Sequence, residues 1–193
     1  MKNYIIFIVT MFLGAFVMQA QQPVNKSKNN CSCSFSSINQ IGLVAGEQNE
    51  SFVLQSVNGL KYKTWMVGAG VGIDGYRYRS IPVFFQLRKE FPVKGDAIFL
   101  YNDIGTNYPW LKSNQKMWRG GEFNPGIYYD GGIGYKVSLR RHALVFSSGF
   151  SLKKLSEDVP SFSCPFMPGT CQEGRDTYYY SLKRISFKVG LHL

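Results

Sequence analysis

The chain ends on RISFKVGLHL, residues 184–193, in which polar and apolar side chains alternate without interruption. Because successive side chains of an extended chain point to opposite faces, this stretch has one apolar face, formed by Ile185, Phe187, Val189, Leu191 and Leu193. Chain ends usually fray unless they are tied into a sheet. The pattern therefore predicts a final strand that is paired up to the last residue and has an apolar environment for one face.

The opposite end has the features of a secretory signal peptide. MKNYIIFIVTMFLGAFVMQA, residues 1–20, carries one lysine, then an apolar run, and closes on the small residue Ala20. The apolar run over residues 4–17 is shorter than the roughly 20 residues that a membrane-spanning helix needs. We predict export with cleavage after Ala20, a flexible periplasmic lead-in over residues 21–37 and one domain over residues 38–193.

Between these ends the chain divides into short alternating runs separated by glycine, asparagine and charged residues. Eight such runs lie near residues 38–46, 51–57, 64–74, 79–90, 97–107, 123–137, 142–153 and 177–193. No stretch after the signal shows a helical period, and the repeated glycines of VGAGVGIDG (67–75) disfavour helix. The sequence therefore predicts an all-β domain.

The lengths of the runs and of the links between them favour a membrane barrel over a soluble sandwich. Several runs suit a tilted transmembrane strand of about 9–11 residues better than a typical soluble strand of about 5–6. With a periplasmic N-terminus, the short links fall in the periplasm and the long links near 108–122 and 154–176 fall outside the cell. The predicted fold is an eight-stranded antiparallel up-and-down transmembrane β-barrel in the outer membrane, closed by pairing of its last strand with its first.

Aromatic residues cluster near both ends of the predicted strands, as in the two girdles of a membrane barrel. The periplasmic set is Tyr62, Trp65, Phe91 and Tyr135, and the outer set is Tyr76, Tyr78, Tyr108, Trp110, Trp118, Tyr178, Tyr179 and Tyr180.

Four segments resemble the small outer-membrane β-barrel proteins described as an outer membrane protein beta-barrel domain or as PorT-like. They are WMVGAGVGIDGYRYRSIPVFFQLRKEF (65–91), FLYNDIGTNYPW (99–110), GGEFNPGIYYDGGIGYKV (120–137) and ALVFSSGFSL (143–152). The resemblance covers roughly residues 38–193 and implies an eight-stranded barrel in the style of OmpA and OmpX. It implies little about activity. One departure is Leu193, where such barrels commonly end in phenylalanine.

Charged residues occupy the inward faces of several predicted strands. The interior of an eight-stranded barrel is just wide enough for side chains to fill, so we expect these residues to neutralise one another in a closed lumen: Arg88, Asp130, Lys136, Arg184 and Lys188. The strand containing Asp103 is apolar on both sides, so its facing stays open. Because the basic residues outnumber the acidic ones, a narrow anion-preferring pore is an alternative.

The predicted outer loop NYPWLKSNQKMWRGG (107–121) combines basic and aromatic residues and has no acidic residue. Such a loop can hold lipopolysaccharide phosphates or stack on glycans, with Trp110, Lys112, Lys116, Trp118 and Arg119 as the candidate contacts. The expected partners are therefore outer-membrane lipid and lipopolysaccharide, together with the barrel-assembly machinery that inserts the protein.

Neither catalysis nor a cofactor or metal is predicted. His142 and His192 are the two histidines, both expected at the periplasmic end, and neither lies in a catalytic motif. A net charge of +10 would suggest nucleic acid in a cytosolic chain, but export disfavours that partner. We predict a non-enzymatic barrel with a structural, adhesive or accessory-assembly role through its extracellular loops and an unidentified protein partner. The alternative is a soluble periplasmic β-barrel that binds a small apolar ligand in an apolar interior.

Four cysteines in an exported chain are available for oxidation. Cys164 and Cys171 flank a turn in SCPFMPGTCQ (163–172), and we predict a disulfide between them outside the cell. Cys31 and Cys33 precede the first strand, about 30 Å of membrane away, and a bridge across one residue would be strained. We expect that pair to be free, transiently oxidised or linked to another chain.

Overall fold

A computed structural model describes residues 33–47, 49–110, 122–163 and 172–193. These residues form nine β-strands: β1 (Cys33–Gly46), β2 (Glu50–Tyr62), β3 (Trp65–Asp74), β4 (Ser80–Val93), β5 (Asp96–Pro109), β6 (Glu122–Asn124), β7 (Gly126–Ser138), β8 (Ala143–Ser163) and β9 (Gln172–His192). Both β6 and β7 pair with β8 along the same edge. Because Pro125, which has no backbone N–H, separates them, they act as one interrupted strand of an eight-stranded barrel. No helix in the described ranges is long and apolar enough to cross a membrane.

The barrel closes because β9 pairs with β8 on one edge and with β1 on the other, and every pairing is antiparallel. The β1–β9 register runs from Ile38 opposite His192 to Gly46 opposite Arg184. The N–H of Leu193 then donates to the carbonyl of Ser37 at 2.8 Å. The chain is therefore paired up to its last residue, and the predicted eight-stranded antiparallel barrel is confirmed.

The strands extend further than the sequence pattern indicates. β1 begins at Cys33, which lies opposite Tyr62, so residues 33–37 belong to the barrel and not to a flexible lead-in. At the same end, only residues 63–64 link β2 to β3, and residues 94–95 link β4 to β5. Lys63 and Lys94 have positive φ angles of 54° and 46°, as these tight links require.

The largest difference is at the end expected outside the cell, called the outer end below, where residues 154–176 were expected to form a long loop. Instead β8 and β9 are 21 residues long and pair with each other up to Ser163 and Gln172. This mutual pairing satisfies backbone groups that a loop would leave to water. The expected loop is therefore a β-ribbon that continues the barrel wall.

The apolar side chains of the strands lie outside the barrel and the charged ones inside. On β9, Phe187 is 57% exposed, whereas the neighbouring Lys188 is 2% exposed. The same inversion recurs on β4, where Phe85 is exposed and Arg88 is buried. A soluble barrel with an apolar interior is contradicted by this arrangement, because an apolar exterior fits the hydrocarbon of a bilayer.

Part of the interior is filled by aromatic rings that fit over glycines of neighbouring strands. A Cβ atom on Gly70 would lie 2.5 Å from the ring of Phe84, and one on Gly134 would overlap the ring of Phe99. The inward glycines thus make room for large side chains, which explains why β3 carries bulky residues on one face and glycine on the other.

The aromatic girdles are present in part. Tyr62, Trp65, Phe91 and Tyr135 are exposed at the end expected in the periplasm, called the periplasmic end below, and Tyr108, Trp110, Tyr178 and Tyr179 are exposed at the outer end. Tyr76 and Tyr78, expected in the outer girdle, are buried inside the outer end of the barrel, so their assignment was wrong. Tyr180 is half-buried, and Trp118 lies outside the described residues.

Cys33 is disulfide-bonded, which excludes a free thiol at this position. Cys31, Cys164 and Cys171 lie outside the described residues, so the Cys164–Cys171 bridge stays a prediction.

Replacing either packing glycine with valine tests the interior. We expect Gly70→Val and Gly134→Val each to lower the free energy of unfolding by about 1–3 kcal/mol, since added methyl groups in a packed interior force side chains and backbone apart. Urea unfolding of the refolded barrel measures this. Ser148→Val, which introduces the same side chain on the outward face of β8, is the control, and equal losses in all three variants would contradict the packing.

A second expectation concerns the outward face. Phe187→Arg places a charge against the hydrocarbon and should cost about 2–4 kcal/mol of folding free energy in a bilayer. Phe187→Leu keeps the surface apolar and should cost far less. Folding into lipid vesicles at graded urea concentrations measures both, and a tolerated arginine would show that this face does not meet lipid.

Candidate functional site

The barrel interior contains three layers of charged side chains, of which the middle layer is centred on Lys188. Its Nζ lies 3.1 Å from Asp130 Oδ2, 3.1 Å from Gln55 Oε1 and 4.0 Å from Asp103 Oδ2. The hydroxyl of Tyr101 donates to Asp130 at 2.9 Å. These residues come from β9, β7, β2 and β5, so the layer ties opposite walls of the barrel together.

The outer layer is centred on Asp74, at the end of β3. Its carboxylate accepts a hydrogen bond from Arg184 and lies 3.7 Å from Lys153 Nζ. Lys153 also donates to the backbone carbonyls of Tyr76 and Tyr78. The link between β3 and β4 is thereby drawn over the outer end of the lumen, which explains why Tyr76 and Tyr78 are buried.

The periplasmic layer is centred on Glu90, whose carboxylate pairs with Lys61 and, at 3.1 Å, with Lys136. Nearby, the guanidinium of Arg88 stacks on the ring of Phe99 at 4.1 Å from its centroid. His192 Nε2 lies 2.6 Å from the hydroxyl of Ser36. Each of these contacts joins different strands, so the layer fills the periplasmic end of the lumen.

The structure places all five expected lumen residues inside the barrel. Arg88, Asp130, Arg184 and Lys188 are buried, and Lys136 is half-buried at the periplasmic end. Sequence reasoning missed four further charged residues of the interior, namely Asp74, Glu90, Lys153 and Glu157. Each continues the inward alternation of its strand, as Glu90 does two positions after Arg88, and this signal could have identified them.

The interior is close to neutral. Among the described residues, five buried acids (Asp74, Glu90, Asp103, Asp130 and Glu157) face four buried bases (Arg88, Lys153, Arg184 and Lys188). The partly buried Lys61 and Lys136 both contact Glu90. The marked basic excess on which the anion-pore alternative rested is therefore not found in the described part of the barrel.

The second candidate region is the outer ribbon, defined as residues 154–163 of β8 and 172–183 of β9. β1 ends opposite Arg184, so residues 172–183 of β9 have β8 as their strand partner on one edge and no strand on the other among the described residues. Residues 174–179 are all exposed, and Tyr179 reaches 84%. Within the described part of the chain, the ribbon therefore presents a free strand edge flanked by tyrosine side chains.

Side-chain contacts fix the base of the ribbon. Asp158 accepts hydrogen bonds from Asn124 of β6 at 2.8 Å and from Thr177 of β9 at 2.7 Å, and these two bonds hold the pKa of Asp158 below its ordinary value. The ring of Tyr78 packs against Phe123 and Tyr180, with centroids 4.8 and 5.3 Å away. The ribbon thus emerges from a packed base.

Of the expected lipopolysaccharide contacts, Trp110 is within the described residues. It is half exposed, and the guanidinium of Arg79 lies 5.3 Å from its ring centroid. Sequence reasoning did not select Arg79. Lys112, Lys116, Trp118 and Arg119 lie outside the described residues.

The histidines lie at the periplasmic end, where His142 is exposed in the link between β7 and β8. Within the described ranges, no group of three or more His, Cys, Asp or Glu side chains could hold a metal ion.

An apolar exterior, a charged interior and closure by eight strands define the fold of a small outer-membrane β-barrel. Neisserial surface protein A has the same fold with a TM-score of 0.52 and 8% identity, over 84% of this chain and 98% of that one. The outer membrane protein AlkL, solved in DMPC bilayers, gives a TM-score of 0.48 at 10% identity (89% and 94% covered). The N-terminal β-barrel domain of Pseudomonas aeruginosa OprF gives 0.42 at 9% identity (82% and 97% covered).

At these identities the likeness is one of fold alone. No family model and no curated protein matches the sequence, so the PorT-like relationship stays a prediction.

Asp74 is the residue whose removal should disturb the interior most. Asp74→Asn leaves Arg184 and Lys153 buried without a carboxylate, and breaking such a buried pair typically costs about 3–5 kcal/mol. We expect a loss of this size in the free energy of unfolding. Glu50→Gln, an exposed carboxylate at the same end, should change it by less than about 0.5 kcal/mol. Equal effects of the two substitutions would show that the outer layer does not stabilise the barrel.

Proposed function

We propose that this chain is a non-enzymatic integral protein of the outer membrane that binds another polypeptide through the outer ribbon. The proposal makes the adhesive or accessory-assembly role specific, because it names the element that carries it. Export by residues 1–20 and insertion by the barrel-assembly machinery belong to the same proposal.

The observation that carries the proposal is the free edge of β9. A strand edge offers a row of unpaired N–H and C=O groups, and an extended segment of another chain can pair with them as an added strand. Soluble proteins usually shorten, cover or charge such edges. Here residues 174–179 are exposed, and four of these six residues, among them Tyr178 and Tyr179, carry no charge. The exposed tyrosines beside the edge supply rigid amphipathic contact area of the kind enriched at binding interfaces.

The filled interior supports binding at the outer end over transport through the lumen. Lys153 holds the link over residues 75–79 across the outer end, and three layers of paired charges lie beneath it. We therefore expect no ohmic conductance from the intact barrel in planar bilayers.

Lipopolysaccharide contact by the outer end is the second part of the proposal. Arg79 and Trp110 form a cation–π pair at the outer rim, and Lys112, Lys116, Trp118 and Arg119 follow Trp110 in sequence. Arginine and lysine side chains at this level suit the phosphates of lipopolysaccharide.

Shaving of intact cells with trypsin tests the orientation. Arg175 is exposed in the ribbon, whereas Arg140 and Arg141 are exposed in a link at the opposite end of the barrel. We expect cleavage after Arg175 on intact cells, and cleavage after Arg140 or Arg141 only when the outer membrane is permeabilised. The reverse order of cleavage would contradict the proposed orientation and the extracellular ribbon with it.

Binding is tested with a photo-crosslinking amino acid at Tyr179 of the cell-surface protein. We expect a discrete polypeptide adduct from position 179 and none from the exposed Tyr108 of β5, which lies at the same end three strands away from β9. A variant in which Asn-Gly joins Asp158 to Thr177, which lie opposite each other, removes residues 172–176 of the free edge and closes the ribbon with a two-residue hairpin turn. Identical adducts from both positions, or no adduct from position 179, would count against the ribbon as the binding element.

A further inference from the structure

Four polar residues form a patch on the outward face of the barrel, where apolar residues otherwise predominate. The polar patch consists of Ser37 and Asn39 of β1 and Ser56 and Asn58 of β2. In the register of the two strands, Asn39 lies opposite Ser56, and Ser37 lies opposite Asn58. Both asparagines are exposed and both serines are half-buried.

The polar patch lies between apolar residues on both sides along the barrel axis. On β1 the outward residues are Phe35, Ser37, Asn39, Ile41 and Leu43, so Asn39 is the central one. On β2 the patch lies between Leu54 towards the outer end and Leu60 towards the periplasmic end, and both are more than half exposed. Asn39 and Ser56 therefore lie within the apolar band, whereas Ser37 lies beside Leu193 at the end of the chain.

Hydrogen bonds within the barrel leave the polar patch incompletely paired. The hydroxyl of Ser56 donates to Asn39 Oδ1 at 2.8 Å. Among the described residues, the side-chain Nδ2 of Asn39 and the whole amide of Asn58 have no side-chain partner. Hydrocarbon offers no partner either, and an unpaired amide there is costly.

Asn102 shows how an outward asparagine is paired within one barrel. It faces outward on β5, away from the polar patch, and its Nδ2 donates to the hydroxyl of Tyr129 at 3.2 Å. The polar patch lacks such a neighbour, because the residue opposite Asn58 on β3 is Ala69.

The surface beside the polar patch allows close approach of another chain. Ala69 is the smallest outward side chain of β3, and a shallow depression of about 290 Å³ extends from Asn39 and Ser56 to Val71 and Ile73. Small and polar residues together are typical of contacts between membrane-spanning elements, where packing and hydrogen bonds replace the hydrophobic effect.

We propose that the polar patch is the contact surface between two copies of this chain in the membrane. An asparagine amide is both donor and acceptor, so a two-fold axis normal to the membrane lets each patch satisfy the groups that the other leaves unpaired. A two-fold contact places the same surface on both copies, and this patch is complementary to itself. The inference rests on the membrane location proposed above.

The test uses the full mature protein, labelled at its N-terminus with donor and acceptor fluorophores, in DMPC vesicles over a range of protein-to-lipid ratios. Asn39→Leu combined with Asn58→Leu removes the amides and keeps the surface apolar. We expect energy transfer from the wild type and at least a tenfold weaker association of the double variant, since each 1.4 kcal/mol is tenfold in an association constant. Asn102→Leu should associate like the wild type.

Folding and location are checked separately from association. Heat-modifiable migration in detergent gels shows whether each variant has formed a barrel, and flotation with the vesicles tests membrane insertion itself. A wild type that floats but stays monomeric at every ratio would overturn the dimer, as would a folded double variant that associates like the wild type.

A photo-crosslinking amino acid at Asn58 supplies a measurement that leaves the other patch residues intact. We expect an adduct of twice the monomer mass from position 58 and none from position 102. An adduct with a different polypeptide in cells, or attachment to lipid alone, would refute the assignment to a second copy.

Discussion

Closure of β9 on β1 is the constraint on which the rest of the structure depends. In hydrocarbon no water can pair with the backbone, so a sheet must join its own edges to leave no N–H or C=O group exposed. The pairing of Gly46 with Arg184 and of Ile38 with His192 achieves this. Once the wall is closed, alternate residues must face lipid or lumen, and the charged side chains of every strand are brought into one small volume.

That volume explains the contacts of the interior. A buried charge is tolerated only when it is paired and hydrogen-bonded, and Asp130 has Lys188, Tyr101 and Ser186 around it. Because positions 70 and 134 are glycine, the rings of Phe84 and Phe99 fit into the space between the layers of charged side chains. Charge pairing and ring packing therefore fill one lumen, and an interior of this kind directs function to the surfaces at its ends and to its outward face.

The sequence was sufficient for the fold, because the alternation of residues 184–193 and the lengths of the runs follow directly from a closed sheet in lipid. It was insufficient where a contact with a residue far away in the sequence determines which side chains are buried in the lumen. Tyr76 and Tyr78 are buried because Lys153, more than 70 positions away, binds their carbonyls. The inward facing of Tyr101 and Asp103 could not be read from an apolar strand, since it depends on partners from β4, β7 and β9. The outer ribbon was not predicted because residues 154–176 lack the apolar alternation by which membrane strands are recognised in a sequence. The backbone groups of the ribbon's two strands pair with each other instead.

Along β9, barrel closure changes the number of strand edges that are paired. Residues 184–192 are paired on both edges, whereas residues 172–183 have a strand partner on one edge within the described part of the chain. Backbone hydrogen bonds at such an edge open more readily than those inside a closed sheet. The same strand thus seals the barrel at one end and offers unpaired backbone groups at the other, and the transition falls at Arg184, whose side chain binds Asp74. The part of β9 that is available for binding therefore begins where the strand is no longer needed to close the barrel.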